Sequence, residues 1–456
     1  MRGGRRPAIA LALAAVAVAG WLALPSSAAP VETPATTTSA IGSGATETAP
    51  TGSPAQPVTQ ATPTPADPSP TASSEPQHDP GQLTPSSIPY RQLTATPVLV
   101  AALDARLEKL RAKSGIPGIS VAIVFPDGTT WRGVAGMADV AAARKVTADT
   151  AFPVASVSKT FTAGLILGMV QDGRLGLDVS ARSYLPTLPI DPAITIRELL
   201  DHTSGLRDFF FGAGVDHALL SKPARVWDPA RSFKYVGKPF SKPGLSWHYS
   251  NTNYMVLGMI AEAVGHDSVA HQLRARFLGP LGLDHTYYQA VEAPRGPVVH
   301  DYRFVGSSPT LPAIDLSDGT GVVPFRSVVT AAGAAGSIAT TPTDLALWAK
   351  ALYAGPALDG PTRDAMLGDV LRTAALKPKI GYGLGVQSVT VDGFPTLGHS
   401  GRYLGARAVF RWLPVQRLSI AVLTNQSRTD VNPIVASLLR LALTPQADCS
   451  TCANLP

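Results

Sequence analysis

The sequence predicts an α+β fold: an antiparallel sheet built from both ends of the folded region, flanked by terminal helices, with a mainly helical lobe between. Two strand-rich regions lead to this prediction. The β-branched run "ISVAIVF" (119–125) is followed by a "PDG" turn and by "TTWRGVAG", which is the signal of a hairpin. Far along the chain, residues 382–391, 396–414 and 417–427 have the pattern of consecutive antiparallel strands. We expect the hairpin and these strands to share one sheet, because the helices lie between them rather than alternating with single strands.

Start and stop signals place the helices. Thr96 followed by Pro97 is an N-cap with proline at the first helical position, and Gly115 is a stop signal. Thr195 and Glu198 have the spacing of a capping box, in which both side chains bond to free backbone N–H groups. Further helices are predicted at 160–171, 253–265, 341–355 and 433–443.

The N-terminal region does not have the pattern of a folded domain. A basic "MRGGRR", an apolar segment at 8–24 and small residues at 25–30 predict a secretory signal peptide over residues 1–29. An uncleaved anchor, which would tether the protein to a membrane, is the alternative, because the 17 apolar residues are at the low edge of what spans a bilayer. Residues 30–89 are rich in Pro, Thr, Ser and Ala and predict a disordered linker, since they cannot bury enough surface to offset the cost of ordering. The expected location is extracytoplasmic: secreted, periplasmic or cell-wall associated.

Composition limits the function of the predicted folded domain, residues 90–445. A hydrophobic content of 45% with 15% charged residues fits a globular core. The formal net charge of +6 is mild, and no contiguous Lys/Arg run with interleaved aromatic residues occurs, so we expect no nucleic-acid partner. The two cysteines, Cys449 and Cys452, lie in a C-terminal tail (446–456) and predict a short-loop disulfide in an oxidising compartment rather than a redox or zinc site.

Ser156 and Lys159 form the sole S-x-x-K motif of the sequence, where an apolar helix begins. Residues three apart lie on one helix face, with Cβ atoms about 5–6 Å apart, so the lysine amine can reach the serine hydroxyl. Serine is a poor nucleophile without an adjacent base, and a lysine whose pKa is lowered by partial burial can supply one. The helix N-terminus would also favour a negative oxygen formed during attack. The alternative is an ordinary helix start with Ser156 as N-cap and a solvated Lys159.

Two further motifs supply possible partners. Tyr249 and Asn251 form the sole Y-x-N, in which a phenol near an ammonium would lose its proton more easily and shuttle it, and the amide could bind a substrate carbonyl together with the lysine. In "LGHSGRYLG", His399 and Gly401 would share one face of a strand, with Gly401 admitting a substrate backbone and His399 meeting a carboxylate as a cation. Alternatively, the first pair forms a turn before the 253–265 helix, and the second marks a bend with an exposed histidine.

The three motifs in this order resemble the serine β-lactamase-like, penicillin-recognising enzymes. The resemblance is closest to the branch of class C β-lactamases and D-alanyl-D-alanine carboxypeptidases, which also includes esterases and D-amino-acid amidases. It covers about residues 95–443 and extends to the stretches "LLDHTSGL", "AAGSIATTPTDLALW" and "YGLGV". It implies a β-lactamase-like fold with the active site between the sheet and the helical lobe, no cofactor and no metal.

The same resemblance implies roles for the motif residues. Ser156 would be acylated, Lys159 and Tyr249 would share the base and proton-relay duties, and Asn251 would orient the substrate amide. His399 would replace a lysine common at its position. The oxyanion hole would consist of two backbone N–H groups, those of Ser156 and of Arg402, beside Gly401.

Two departures from the family pattern bear on specificity. Many β-lactamases of this branch carry K-T-G where this chain has H-S-G, a pattern more typical of carboxypeptidase and esterase members; the K-S-G at 113–115 precedes the nucleophile and is not equivalent. Arg402 stands where a small residue is common, and its guanidinium would receive a substrate carboxylate in a bidentate fashion or narrow the site. His202, at the end of a short helix, is interpreted as structural.

The expected function is a serine hydrolase acting through an acyl-enzyme on a small-molecule or peptide substrate, first of all a D-alanyl-D-alanine-type cell-wall peptide. A β-lactam, an ester or a D-amino-acid amide is the alternative within the same fold. A non-catalytic wall-binding module is a more distant one. An α/β-hydrolase is disfavoured, because "GHSGR" (398–402) has arginine in place of the last glycine of the nucleophile elbow and its flanks predict antiparallel strands.

Overall fold

The computed structural model describes residues 93–304, 313–377 and 381–444. The predicted signal segment, linker and cysteine-containing tail lie outside these residues. Within them are eleven α-helices: α1 Pro97–Ser114, α2 Ser158–Gln171, α3 Ile196–Leu200, α4 Val215–Leu220, α5 Pro229–Phe233, α6 Asn251–Gly265, α7 Val269–Leu273, α8 Arg326–Ala332, α9 Pro342–Ala354, α10 Gly360–Leu376 and α11 Asn432–Leu443.

The same residues form twelve strands: β1 Gly118–Val124, β2 Thr130–Asp139, β3 Arg144–Lys145, β4 Phe152–Pro153, β5 Tyr287–Tyr288, β6 Tyr302–Arg303, β7 Ile314–Asp315, β8 Ile338–Thr340, β9 Gln387–Val391, β10 Phe394–Arg402, β11 Arg407–Leu413 and β12 Leu418–Thr424. Seven of them make the main sheet, in the order β3-β2-β1-β12-β11-β10-β9. Strand β1 pairs antiparallel with β12, with Ile119 opposite Thr424. The prediction that the first hairpin and the last strands share one antiparallel sheet is therefore confirmed.

Helices cover both faces of this sheet. On one face, α1 and α11 pack over Val121 and Ile123 of β1. On the other, Ala122 and Val124 join a second core that contains Phe161 of α2 and helix α9. Because neither face is left to solvent, every residue of β1 is buried.

The predicted helix signals act as expected. The Thr96 side chain caps α1, and Gly115 ends it in the left-handed conformation with φ +61°. Thr195 and Glu198 form the capping box of α3. Where a strand was predicted from residue 382, β9 begins only at Gln387, because 383–386 turns back on itself through a Gly383 N–H to Val386 carbonyl hydrogen bond. Among the described residues, we find no helix of the length and apolarity needed to cross a bilayer.

Candidate active site

Ser156 lies in a single 3-10 turn, Ala155–Val157, which leads directly into α2. The preceding Ala155 is buried and adopts φ +46°, a left-handed conformation that is costly for a residue with a side chain. Such strained backbone is concentrated at functional sites, where the surrounding structure holds it. The Ser156 side chain is only partly buried, so the turn presents its hydroxyl to an incoming group.

Lys159 is fully buried and reaches three acceptors. Its Nζ lies 2.7 Å from Oδ1 of Asn251, 2.9 Å from the carbonyl oxygen of Ala335 and 3.2 Å from Oγ of Ser156. A neutral amine has two N–H groups, and the two shorter contacts use both, which leaves the lone pair for the Ser156 hydroxyl proton. Burial lowers the pKa of Lys159 to about 7, against the attraction of Asp208. The lysine is therefore suited to act as a base at neutral pH.

Asp208 is the residue that sequence reasoning missed. Its buried carboxylate accepts hydrogen bonds from the backbone N–H of Phe210 (3.0 Å) and from Nδ2 of Asn251 (2.7 Å). The first bond caps a 3-10 turn, and the second fixes the orientation of the Asn251 amide. Burial raises its pKa. The signal in the sequence was an isolated aspartate within the apolar "GLRDFFF". The predicted contact of Asn251 with Lys159 is confirmed, while its contact with substrate stays a prediction.

Tyr249 lies beside the Ser156–Lys159 pair. The Lys159 Nζ is 4.9 Å from the centre of the Tyr249 ring. The buried Tyr249 hydroxyl has no partner at hydrogen-bond distance in the described part of the chain, although the nearby Ser156 hydroxyl lowers its pKa somewhat. Burial outweighs this effect and raises the pKa of Tyr249 above its usual value. The expectation that this phenol loses its proton more easily is therefore wrong, and the free hydroxyl is suited to pass a proton on while remaining a phenol.

His399 is buried on β10, and both of its ring nitrogens are engaged. Nδ1 lies 2.6 Å from the carbonyl oxygen of Ser400, and Nε2 lies 3.0 Å from the hydroxyl of Tyr382. Burial, together with the positive charge of Lys159, lowers the pKa of His399 to about 3. The ring is therefore neutral at neutral pH, and the expectation that it meets a carboxylate as a cation is wrong.

Tyr382 joins His399 to His202, and the hydrogen bonds fix every proton of the connection. Nδ1 of His202 accepts from the Ser250 N–H (3.1 Å), so the proton of this neutral ring is on Nε2, which donates to the Tyr382 hydroxyl (3.2 Å). That hydroxyl then donates to Nε2 of His399, whose Nδ1–H donates to Ser400. Burial keeps the pKa of His202 well below its usual value. His202 is structural, as predicted, and it connects the backbone beside Tyr249 with the backbone beside Gly401.

Gly401 brings the end of β10 against the turn of the nucleophile. A Cβ atom at this position would lie 2.0 Å from the carbonyl oxygen of Val154 and 3.1 Å from the backbone nitrogen of Ser156. The close approach that requires glycine here is made by the protein's own backbone, whereas we had expected a substrate backbone. It places the N–H of Ser156 next to the strand that carries the second predicted oxyanion donor, the N–H of Arg402.

The Arg402 side chain is exposed, at the end of β10. Side chains alternate along a strand, so it lies on the face opposite to Gly401. On that side is Arg407, the residue paired with it on β11, whose pKa is lowered by burial and then by the charge of Arg402. A role for the Arg402 guanidinium in receiving a substrate carboxylate stays a prediction.

One group of three potential metal ligands occurs in the described part of the chain: Asp139, His300 and Asp315. Nδ1 of His300 lies 2.9 Å from Asp315 and Nε2 lies 3.5 Å from Asp139, so the imidazole already bridges the two carboxylates. None of these residues belongs to the motifs described above.

The geometry agrees with what comparison with known proteins finds. A family model described as beta-lactamase matches residues 103–444. The chain belongs to the beta-lactamase family. It is a serine hydrolase of that family, and its α+β architecture is the beta-lactamase-like fold.

Several family members with assigned activities are similar to this chain. Penicillin-binding protein 4 of Amycolatopsis lactamdurans is 29% identical over 337 residues, covering 70% of this chain and 84% of that protein. A D-aminopeptidase of Cereibacter sphaeroides is 27% identical over 354 residues, covering 76% of this chain and 63% of that protein. The crystal structure of D-amino acid amidase from Ochrobactrum anthropi SV3 with L-phenylalanine amide has a TM-score of 0.65 and 25% identity, covering 75% of this chain and 98% of that one. Since the D-aminopeptidase is matched over less than two thirds of its length, its activity does not transfer directly.

Proposed function

We propose that this protein hydrolyses amide bonds of D-amino acid derivatives through an acyl-enzyme on Ser156. The observation that carries the proposal is the buried Lys159, whose amine lies 3.2 Å from Oγ of Ser156 and whose pKa is about 7. About half of such a group is neutral at pH 7, so the base needs no activation by another residue.

In the proposed acylation, the Lys159 lone pair takes the Ser156 proton as Oγ attacks the substrate carbonyl carbon. The negative oxygen that forms accepts hydrogen bonds from the backbone N–H groups of Ser156 and Arg402. As the C–N bond breaks, the Tyr249 hydroxyl gives its proton to the departing amine and at the same time takes the proton held by Lys159, so Tyr249 remains a phenol. Water repeats the sequence on the ester, which releases the acid and restores Ser156.

Two observations favour amides of D-amino acids over carboxypeptidase substrates. The D-aminopeptidase and the D-amino acid amidase are relatives by sequence and by structure. His399 is neutral and already has two hydrogen-bond partners, so it does not supply the positive charge that a substrate carboxylate beside the scissile bond would need.

A D-alanyl-D-alanine carboxypeptidase is the second candidate. The likeness to penicillin-binding protein 4, over 84% of that protein, supports it. β-Lactams and esters are further substrates that the same acyl-enzyme chemistry would accept. The basic and apolar N-terminal segment supports the proposal that the protein acts outside the cytoplasm, with the segment removed as a signal peptide or, as the alternative, retained as an anchor.

A substrate panel tests these proposals. Wild type and Ser156→Ala would be compared on D-alanine and L-alanine p-nitroanilide, a D-alanyl-D-alanine peptide, a cephalosporin and a p-nitrophenyl ester. We expect cleavage of the D-anilide in preference to the L-anilide, with a loss of at least about a thousandfold in Ser156→Ala. Preferred release of D-alanine from the peptide would favour the carboxypeptidase instead. If Ser156→Ala and wild type cleave every compound equally, the acyl-enzyme on Ser156 is rejected. If neither protein cleaves any compound, a non-catalytic module remains.

A further inference from the structure

Positive charge is concentrated in one segment, residues 222–248, which we call the basic segment. It contains one acidic residue, Asp228, and has a net charge of +5 where the whole chain has +6. None of its lysines and arginines makes an ion pair with a carboxylate of the described residues. Its six basic residues are Lys222, Arg225, Arg231, Lys234, Lys238 and Lys242.

The basic segment runs along the turn that follows α3 and ends at the candidate active site. The backbone N–H groups of Phe240, Gly244 and His248 donate to carbonyl oxygens of residues 205, 203 and 202 at 2.8, 2.9 and 3.0 Å. The next residue is Tyr249. The end of the basic segment is therefore held against the same turn that supplies His202.

Three basic side chains meet at this end of the segment: Arg207, His248 and Lys377, which we call the cationic rim. The Arg207 guanidinium lies 4.2 Å from the centre of the Phe240 ring, which is stacked on His248 at 4.4 Å. Burial, and then the charges of Lys377 and Arg207, lower the pKa of His248, so the positive charge of the cationic rim at neutral pH is that of Arg207 and Lys377.

Aromatic rings connect the cationic rim to the site. The Lys377 Nζ lies 5.1 Å from the centre of the Trp247 ring, and that ring lies 6.5 Å from Tyr249 and 6.0 Å from His202. Arg207 is also the direct neighbour of Asp208, which fixes Asn251. A molecule bonded to Ser156 would therefore extend within reach of the cationic rim.

The charges of the cationic rim are uncompensated within the described residues. Arg207 donates from Nε to the carbonyl oxygen of Lys238 at 3.1 Å, and neither Arg207 nor Lys377 pairs with a carboxylate there. By contrast, Arg197 and Arg274, which are partly buried elsewhere, each have a carboxylate partner. Like charges gathered without a counter-charge repel one another, and an anionic ligand removes that repulsion.

We propose that the cationic rim binds a carboxylate of the substrate, one that lies away from the scissile bond, with Trp247 and Phe240 contacting the apolar part beside it. This inference rests on the proposed function and narrows its substrates to anionic ones. It places the recognition of negative charge beside Tyr249 rather than at His399.

Two pairs of substrates, each differing only in charge, test the proposal. For the acyl side, the pair is p-nitrophenyl glutarate, with a free carboxylate, and its methyl ester. For the leaving-group side, it is 3-acetoxybenzoate and its methyl ester. We expect the charged member of at least one pair to have a kcat/KM about fivefold higher in wild type, with the preference falling in Lys377→Gln and Arg207→Gln and at high salt.

Lys109→Gln is the matched control, because Lys109 is an exposed lysine of α1 and its substitution makes the same change in net charge. It should keep the wild-type preference. Equal kcat/KM values within both pairs would overturn the inference, and so would a loss of preference in Lys109→Gln as large as in the rim variants. In either case, Ser156-dependent cleavage of the neutral esters would leave the proposed function standing. Absence of any Ser156-dependent cleavage would instead reject the proposed function.

Discussion

Asp208 holds Asn251 in place for Lys159. Oδ2 of Asp208 accepts a hydrogen bond of 2.7 Å from Nδ2 of Asn251, and Oδ1 of the same amide accepts one of 2.7 Å from Nζ of Lys159. The carboxylate therefore orients the amide and, through its charge, favours the ammonium form of the lysine. A buried carboxylate that touches neither Ser156 nor Tyr249 thus affects the strength of the catalytic base.

The pH profile should report this effect. We expect kcat/KM on a neutral ester to rise as pH increases through about 7, since only the neutral amine of Lys159 accepts a proton. Asp208→Asn keeps the shape and one of the two hydrogen-bond acceptors but removes the negative charge, so the rising limb should move to lower pH. Rates measured between pH 5 and 9 test this, with Asp364→Asn on the surface of α10 as the control. An unmoved limb in Asp208→Asn would contradict the assignment of this limb to Lys159.

Tyr382→Phe should lower both stability and turnover. It removes the hydroxyl between His202 and His399 and leaves a buried donor and a buried acceptor without partners, which costs about 1–3 kcal/mol. We expect kcat to fall more than KM changes, because the histidines position backbone at the catalytic residues. Tyr353→Phe is the control, since its buried hydroxyl has no partner among the described residues. Equal unfolding free energies for the two variants would contradict the hydrogen-bonded connection from His202 through Tyr382 to His399.

Nitrogen-15 NMR can read the same connection directly. The proton should be on Nε2 in His202 and on Nδ1 in His399, and this difference between two neutral rings should persist in Tyr382→Phe, because the Ser250 N–H and the Ser400 carbonyl still hold the two Nδ1 atoms. Finding both rings in the same tautomer in wild type would show that the Tyr382 hydroxyl points the other way.

Gly401→Ala should inactivate the protein. The new Cβ would lie 2.0 Å from the Val154 carbonyl oxygen, so β10 and the Ser156 turn must move apart, and the cost of such overpacking is about 1–3 kcal/mol. Because the two predicted oxyanion donors lie on these two elements, we expect a loss of about a hundredfold in kcat. Gly360→Ala, which meets no atom within 4 Å at the start of α10, should leave rate and stability near wild type. Activity in Gly401→Ala near the wild-type value would remove the oxyanion role from this strand.

His399→Gln should change how stability depends on acid. The pKa of His399 is about 3 in the folded protein and about 6.5 when unfolded, so between these values the unfolded chain binds a proton that the folded one does not. Stability from this group is therefore lost as pH falls, by up to about 2 kcal/mol between pH 6.5 and 5. Urea unfolding at both pH values should show that the free energy of unfolding of wild type exceeds that of His399→Gln by less at pH 5 than at pH 6.5, by that amount. Parallel stabilities would mean that His399 titrates normally.

Local chemistry explains which features could be predicted from the sequence. The side chains of three residues cap helices by accepting from the backbone N–H three residues further on, so their effect is visible in a short stretch of sequence: Thr96, Thr195 and Thr341. Ser156 and Lys159 are brought together by a single helical turn, and the motif therefore contains its own geometry.

The features that could not be predicted depend on burial and on long-range contacts. Asp208 and Asn251 are 43 residues apart, and Tyr382 is 180 residues from His202. The motifs also do not predict how readily His399 and Tyr249 exchange protons. Desolvation in the folded core dominates the pKa values of both residues, and a short motif contains no information about that core.

The pairing of β1 with β12 determines the point during chain synthesis at which catalytic activity can appear. Ile119 pairs with Thr424, and Oδ1 of Asn425 accepts a hydrogen bond from the N–H of Gly118, 307 residues away in sequence. Strand β10, which presses Gly401 against Ser156, is anchored to β1 only through β11 and β12. A nascent chain that has been released only up to β11 contains every catalytic side chain but lacks β12, the strand that joins β1 to β11 in the sheet. The catalytic site can therefore be completed only after β12 has been made, so activity should report that synthesis has passed residue 424.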